Sequence, residues 1–140
     1  GEDGIVTISI HGEKNFPFRK ATSDHDFPLP SGTNDEGYLS AVHDSLEILK
    51  AYSPEILLFQ AGVDALEVDT LGKLNVSKDG MRIRNDMVFS FLNRKTPCIL
   101  FMGGGYSDPI SHTVDSFYDL FVAAAKSNSS MSRSGDSNLV

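Results

Sequence analysis

The sequence has little that would suit a secreted or membrane-bound protein. Its single cysteine, Cys98, excludes a disulfide within the chain. No apolar run approaches the roughly 20 residues that a transmembrane helix needs. The N-terminus, Gly-Glu-Asp-Gly, lacks the basic segment and the apolar stretch of a signal peptide. We therefore expect a protein of the nucleus or cytoplasm that has no membrane partner.

Cationic residues are also scarce. The chain has 12 Lys and Arg against 19 Asp and Glu, which gives a net charge of −7 at pH 7. Because binding to phosphate backbones depends on positive charge, this composition argues against direct nucleic-acid binding. The rest is ordinary for a globular protein, since 40% of the 140 residues are hydrophobic and 22% are charged. This length fits about one domain with one core.

Short apolar runs predict three β-strands. They lie at residues 5–10, 56–59 and 99–102. Each run is apolar on both faces, which is typical of a parallel sheet covered by helices. Residues 11–30 contain Gly12 and the prolines at 17, 28 and 30, so we predict a long ordered loop there. Loops of that length inside a domain are usually functional.

Apolar residues at intervals of three and four predict three helices between and after these strands. The first begins at the capping pattern of residues 33–36 and ends near Tyr52. The second ends near Arg94-Lys95. The third has Asp108 as its N-cap and Pro109 in its first turn.

The alternation of strands and helices predicts an α/β sandwich with a parallel sheet and right-handed crossovers. Ligands of such sheets bind beyond the carboxyl ends of the strands. Residues 127–140 are rich in serine and poor in apolar side chains, so we predict a disordered tail after a domain that covers residues 1–126.

Two predicted loops carry chemically useful side chains from the carboxyl ends of strands. Residues 60–64, Gln-Ala-Gly-Val-Asp, follow the second strand, and residues 103–106, Gly-Gly-Gly-Tyr, follow the third. The Asp64 carboxylate suits a divalent cation, and the Tyr106 hydroxyl suits an oxygen that gains negative charge in a reaction. Alone, each signal is weak. An aspartate after a strand is more often a turn or a helix cap, and the glycines equally fit a tight turn or a phosphate-binding loop.

Taken together, the motifs resemble the histone deacetylase family. The likeness runs in order from about Ile5 to Lys126, and its motifs are Ser9-Ile10-His11, residues 60–64, Asp-Thr-Leu-Gly-Lys-Leu at 69–74 and residues 103–106. Residues 14–20, Lys-Asn-Phe-Pro-Phe-Arg-Lys, are similar to class IV members, in particular those of plants. The resemblance implies the C-terminal part of an arginase/deacetylase-type three-layer sandwich. It also implies hydrolysis of acetyl-lysine in proteins such as histones, and hence chromatin regulation.

The resemblance assigns roles to individual residues. It implies that Asp64 is a zinc ligand and that the Tyr106 hydroxyl stabilises the oxyanion formed from the acetyl-lysine carbonyl. It implies a substrate channel lined by Phe16, Phe18, Gly104 and Gly105. It also implies that Ser9 and the Ile10 carbonyl hold a structural monovalent cation such as K⁺.

The resemblance is incomplete at the metal. The family holds zinc with an Asp-x-His pair and a second Asp, and it uses a pair of histidines in catalysis. None of the four histidines here follows an Asp at two residues' distance, and no two are adjacent. A catalytic zinc needs three protein ligands, of which Asp64 supplies one. We therefore expect the other ligands upstream of Gly1 in a longer protein, and no deacetylase activity from this chain alone.

Other functions remain open. A truncated module or pseudoenzyme could bind a protein partner through the apolar surface exposed where N-terminal strands are missing. Acetylpolyamine hydrolysis would use the same motifs. Dinuclear arginase chemistry would need a carboxylate where Leu66 stands. A nucleotide site would need Gly-x-Gly-x-x-Gly or Walker spacing, which the glycines at 103–105 lack.

Overall fold

The computed structural model describes residues 4–93 and 96–129. Strands and helices alternate along most of this range. Their bounds are β1 Ile8–Gly12, β2 His25–Leu29, α1 Asp35–Tyr52, β3 Leu57–Gln60, α2 Lys78–Leu92, β4 Cys98–Phe101 and α3 Ser111–Ser129. Among these residues no helix has both the length and the hydropathy of a transmembrane span.

The strands form two parallel pairs. β1 pairs with β2 in the register Ile8 to His25, and β3 pairs with β4 in the register Leu57 to Cys98. The predicted combination of parallel strands and helices is therefore confirmed, with α2 as the crossover between β3 and β4. Within the described ranges β1 and β3 are not hydrogen-bonded neighbours, so the two pairs are separate sheets.

β2 lies inside the stretch that the sequence predicts to be a loop, and that prediction was wrong for His25–Leu29. The strand was hidden because it carries Pro28. The His25 N–H donates to the Thr7 carbonyl at 3.1 Å, so His25 and every second residue after it face β1. Pro28 has the opposite parity, and its missing N–H points away from β1. A proline is tolerated at such an outer edge.

The first helix and its end at Tyr52 are confirmed, but Thr33 does not cap it as the capping-box spacing predicts, since the Thr33 hydroxyl donates to the Pro30 carbonyl at 2.7 Å. Asn34 is the N-cap, and its side chain accepts a hydrogen bond from the Gly37 N–H at 3.3 Å. Ser53 ends the helix in a left-handed conformation, at φ 49°. α2 begins in the same way, because its N-cap Ser77 accepts from the Gly80 N–H at 3.0 Å.

The third helix begins later than predicted. Asp108 is not its N-cap, because the helix starts at Ser111, and the Asp108 N–H donates to the Val68 carbonyl at 3.3 Å. At its other end α3 continues to Ser129, so the first residues of the predicted tail, 127–129, are helical. The remainder of that tail and the predicted helix end at Arg94-Lys95 lie outside the described residues.

The core lies between the helices and one face of the strands. Its buried apolar residues include Tyr38, Val42, Leu46, Ala61, Val63, Leu66, Met81, Val88, Leu92, Phe117 and Leu120. Leu57 and Phe59 of β3 pack against this core, whereas Leu58 between them is 62% exposed. Ile99 and Phe101 of β4 are exposed in the same way. Apolar runs that predict strands covered on both faces are therefore covered on one face by the described residues.

Candidate metal and oxyanion site

The loops that follow β3 and β4 run side by side, as the parallel pairing of these two strands requires. Backbone pairing continues beyond the strands: the Ala61 N–H donates to the Phe101 carbonyl at 2.9 Å, and the Val63 N–H donates to the Gly104 carbonyl at 2.7 Å. Ala61 and Val63 are fully buried. This pairing anchors both loops where they leave the sheet.

Asp64 lies against the glycine-rich loop. A Cβ placed on Gly104 would be 3.3 Å from the Asp64 Cγ, and a Cβ placed on Gly62 would be 3.0 Å from Asp64 Oδ1. Gly72 closes a third side, since a Cβ there would overlap the Asp64 carbonyl oxygen. The glycines are needed here for close packing around Asp64. The carboxyl group is consequently packed against Gly62 and Gly104, whereas Gly72 packs against the Asp64 backbone.

The surroundings of Asp64 disfavour its negative charge. Burial raises the pKa of the Asp64 carboxyl above its usual range, and the nearby Asp69 charge adds to this effect. A hydrogen bond from the Asp64 backbone and the positive charge of Arg84 act in the opposite direction. A buried carboxylate that its protein neighbours stabilise incompletely is suited to hold a cation.

The raised pKa of Asp64 gives a pH-dependent stability. Near pH 3 the group is protonated in both the folded and the unfolded chain. As the pH rises, the unfolded chain ionises first, so the folded state loses stability up to and through the raised pKa. We expect Asp64→Asn, which cannot ionise, to raise Tm at pH 7 and to leave it unchanged near pH 3.

Thermal unfolding followed by circular dichroism at both pH values measures this difference. Asp44→Asn is the matched control, because the Asp44 side chain on α1 is 61% exposed. It should not raise Tm at either pH. An equal gain for Asp64→Asn at both pH values would show that packing, and not charge, is responsible.

Arg84 of α2 holds the loop that contains Asp64. It is 4% exposed, and its Nη1 donates to the Gly62 carbonyl at 2.6 Å. Nε and Nη2 both donate to Asn85 Oδ1, at 3.1 and 2.9 Å, and the guanidinium carbon lies 5.6 Å from the Phe59 ring centroid. The motifs in the sequence do not single out Arg84. The available signal was a charged residue at helical spacing between the buried Met81 and Val88.

Hydrogen bonds hold the backbone of Tyr106, whereas its side chain extends into solvent. Its N–H donates to Asp69 Oδ2 at 2.6 Å, and its carbonyl accepts from the Thr70 N–H at 3.1 Å and the Thr70 hydroxyl at 2.7 Å. The residue as a whole is 60% exposed. Gly105 must lack a side chain because a Cβ there would be 2.5 Å from Val63 Cγ2. The phenol is thus presented to solvent from a held backbone.

Asp69 belongs to the motif at residues 69–74, but the motif does not predict that the Asp69 carboxylate also binds the backbone of Tyr106. Besides Tyr106, its carboxylate accepts from the Leu71 and Gly72 N–H groups, at 2.9 and 2.7 Å. An aspartate that bonds to backbone groups two residues on is a common turn former, which was the detectable signal. The contact to Tyr106, 37 residues away, was not detectable.

A cavity of about 720 Å³ brings several of the predicted site residues together. Asp64, Gly104, Phe16, Ser9 and Ile10 line it, whereas the lining does not include the other predicted residues, Phe18, Gly105 and Tyr106. The Phe16 and Phe18 rings meet edge to face with centroids 6.1 Å apart, and they are 83% and 86% exposed. Ser9 Oγ lies 2.9 Å from His11 Nδ1.

The described residues do not by themselves fit a zinc ion. Within residues 4–93 and 96–129, His, Cys, Asp and Glu form no cluster of three or more that could hold a metal. A catalytic zinc needs three protein ligands. Asp64 can supply one of them, so a complete site requires ligands from outside this part of the chain.

The architecture is that of the arginase/deacetylase fold. The structure resembles an acetylpolyamine aminohydrolase from Burkholderia pseudomallei, with a TM-score of 0.71 over 84% of this chain and 37% of that chain. At 19% identity this likeness shows the fold alone. A histone deacetylase homolog from Aquifex aeolicus gives a TM-score of 0.69 at 28% identity, over 87% of this chain and 36% of that chain.

The sequence itself places the chain in a family. A model of the histone deacetylase domain family matches residues 1–121, and the chain belongs to this family. It is 32% identical over 112 residues to Histone deacetylase 2 of Arabidopsis thaliana, which covers 76% of this chain and 29% of that protein. An uncharacterised protein of Picosynechococcus is 38% identical over 112 residues, with 79% and 37% covered. The chain thus spans about a third of the length of these relatives.

Proposed function

We propose that this chain forms part of a zinc-dependent lysine deacetylase, in which Asp64 is a metal ligand and Tyr106 is a catalytic residue. One observation carries the proposal: the partly buried Asp64 carboxyl packs against Gly104 of the Gly-Gly-Gly-Tyr loop. The substrates would be acetylated proteins such as histones, and residues 14–20 support a class IV assignment. Acetylpolyamine hydrolysis is the related activity that the same residues would permit.

Among the described residues, Asp64 is the one that we assign as a zinc ligand. Gly62 and Gly104 pack closely against its side chain, and the raised pKa of the carboxyl reflects a negative charge that burial disfavours. Zinc binds carboxylate oxygen in catalytic sites together with histidine nitrogen. The remaining ligands would come from residues outside those described.

Tyr106 supplies a hydrogen-bond donor. When the acetyl carbon is attacked, its oxygen gains negative charge, and a phenolic O–H directed at that oxygen stabilises the transition state more than the ground state. Asp69 and Thr70 hold the Tyr106 backbone, which fixes the point from which the ring extends. The exposed ring leaves the hydroxyl accessible to a bound acyl group.

The other residues implied by the resemblance fit supporting tasks. Phe16 and Phe18 would offer exposed aromatic faces to the methylene chain of a lysine, and we assign Gly104 and Gly105 to the same channel. We assign a monovalent cation such as K⁺ to the Ser9 hydroxyl and the Ile10 carbonyl. Their support is the placement of both residues in the lining of the same cavity as Asp64.

A chimera tests the proposed function. The matching segment of Arabidopsis thaliana Histone deacetylase 2 is replaced by the corresponding residues of this chain, and hydrolysis of an acetyl-lysine peptide is measured. We expect an active chimera that loses at least about 100-fold in kcat/KM with Asp64→Asn, since a metal ligand is lost. The 140-residue chain alone, with zinc added, should show no turnover.

Asp44→Asn in the same chimera is the control and should retain activity. The proposal fails if a folded chimera is inactive, or if its activity is indifferent to Asp64→Asn. If the isolated chain hydrolyses the peptide and a chelator abolishes that turnover, the proposal that the remaining zinc ligands lie outside the described residues is wrong.

A further inference from the structure

The ammonium group of Lys20 holds the loop that precedes it. Its Nζ donates to the backbone carbonyls of Glu13, Asn15 and Pro17, at 3.0, 2.7 and 3.2 Å. A lysine ammonium has three N–H donors and no acceptor, so three convergent carbonyls use all of its hydrogen-bonding capacity. Lys20 as a whole is half-buried. The segment from Glu13 to Lys20 is therefore folded around one charged side chain.

The start of this loop is tied to the strands. The Glu13 N–H donates to the Leu29 carbonyl at 2.9 Å, and the Asn15 N–H donates to the Gly12 carbonyl at 3.0 Å. The Asn15 side chain packs on Gly12, since a Cβ placed on that glycine would be 2.7 Å from Asn15 Oδ1. These contacts anchor the beginning of the loop, and Lys20 anchors the part that follows.

The anchored segment carries Phe16, which lies between two of the residues whose carbonyls bind Lys20. The Phe16 ring is 83% exposed and meets the Phe18 ring edge to face, with centroids 6.1 Å apart. Because an exposed ring gains little from packing, its place depends mainly on where its backbone is held. Phe16 and Lys20 both line the cavity that Asp64 lines. The Lys20 contacts thus determine where an aromatic ring stands beside the candidate site.

The geometry of these contacts suits an ammonium group and not a guanidinium group. Three carbonyl oxygens approach a single nitrogen, which matches the donors of a compact ammonium ion. Arginine spreads its donors over a planar fork that fits carboxylates and phosphates. The neighbouring Arg19 is exposed, whereas Lys20 is half-buried. Of two adjacent cations, the one inside the loop is therefore the one whose donors can converge on it.

We propose that Lys20 is a positioning residue, whose ammonium group orders the loop of residues 13–20 and thereby holds the Phe16 ring beside the bound acyl-lysine. The order of the loop is a property of this chain, whereas its use in substrate binding rests on the proposed function. Lys20 does not act on the reacting atoms, because backbone carbonyls engage its three donors. Its loss should therefore weaken substrate binding more than it slows the chemical step.

Hydrogen exchange in the active chimera, with residues 13–20 of this chain included, tests the order of the loop. Lys20→Met removes the ammonium group and keeps an unbranched side chain. The hydrogen-bonded amides of Glu13 and Asn15 should exchange at least about ten-fold faster, because local opening becomes easier, whereas the amides of α1 should keep their rates. Lys14→Met is the matched control and should change neither. It removes the same charge from the same loop, but Lys14 is exposed and pairs with the Glu13 carboxylate at 4.0 Å.

Substrate kinetics in the same chimera test the use of the loop. Lys20→Met should raise KM for an acetyl-lysine peptide about ten-fold and change kcat by no more than a few-fold. Phe16→Ala should raise KM similarly. The double variant should raise KM no further than the larger single effect, because Lys20 acts through the Phe16 ring. Lys20→Arg keeps the charge but cannot converge three donors on one point, so it should behave as Lys20→Met does.

Several results would overturn this role of Lys20. An unchanged KM in Lys20→Met, in a chimera that still loses activity with Asp64→Asn, refutes the positioning role and leaves the proposed function standing. A parent-like KM in Lys20→Arg would mean that charge and not loop order matters, and additive effects with Phe16→Ala would mean that Lys20 does not act through the ring. Faster exchange throughout α1 would mean that Lys20 stabilises the whole domain. An inactive parent chimera refutes the proposed function and the role of Lys20 in binding together.

Discussion

Tyr106→Phe in the active chimera is expected to lower kcat by about 100- to 1,000-fold and to leave KM within a few-fold of its value. This is the usual cost of removing one donor that stabilises a developing oxyanion. The change deletes a single oxygen, and the backbone bonds from Asp69 and Thr70 that hold the residue are unaffected. The loss should therefore fall on the chemical step and not on folding or substrate binding.

Tyr118→Phe provides the matched control for that measurement. Tyr118 lies on α3 and is 69% exposed, so its hydroxyl is as accessible as that of Tyr106 but lies on a helix outside the site loops. Its chimera should keep full kcat. If Tyr106→Phe raises KM with kcat unchanged, the hydroxyl contributes to ground-state binding only, and the catalytic assignment of Tyr106 is wrong.

Arg84→Met is expected to destabilise the chain by about 2–4 kcal/mol. Two effects compete. Removing a buried charge is favourable by itself, and methionine fills a similar volume. The Gly62 carbonyl and the Asn85 side-chain oxygen, however, lose their donors in the interior, and each buried orphan costs about 1–3 kcal/mol. The second effect dominates because both acceptors stay in place after the substitution.

Urea unfolding of the 140-residue chain measures this effect, with Arg82→Met as the control. Arg82 lies two residues before Arg84 on the same helix, but it forms its ion pairs with Asp79 and Asp119 at the surface. Exposed ion pairs contribute little to stability, so this variant should unfold close to the parent midpoint. Equal midpoints for both variants would show that Arg84 does not hold the Asp64 loop.

The sequence predicts elements whose signals are local. α1 was found from its capping pattern and its apolar spacing, and it ends at Tyr52 as expected. β2 was missed, because what makes His25–Leu29 a strand is its pairing with β1 and not its own composition. The start of α3 was placed too early, since the local Asp-Pro pattern does not show that the segment at Asp108 is bonded to Val68 and that the helix starts at Ser111.

The candidate site likewise has a part that local sequence signals predict and a part that they do not. The meeting of the Asp64 and Tyr106 loops could be predicted, because parallel neighbouring strands deliver their following loops to one edge. The contacts that stabilise these loops could not. Arg84 reaches the Gly62 carbonyl across 22 positions and Asp69 reaches Tyr106 across 37, and no local pattern encodes either separation.

The uncovered face of β3 and β4 has a practical consequence. Leu58, Ile99 and Phe101 form an apolar surface on a chain that is otherwise folded. Dyes that fluoresce on apolar protein surfaces should stain the native molecule, although such staining normally indicates a molten globule. Any polypeptide that covers this face would quench the signal, so the progress of assembly could be followed optically without a substrate.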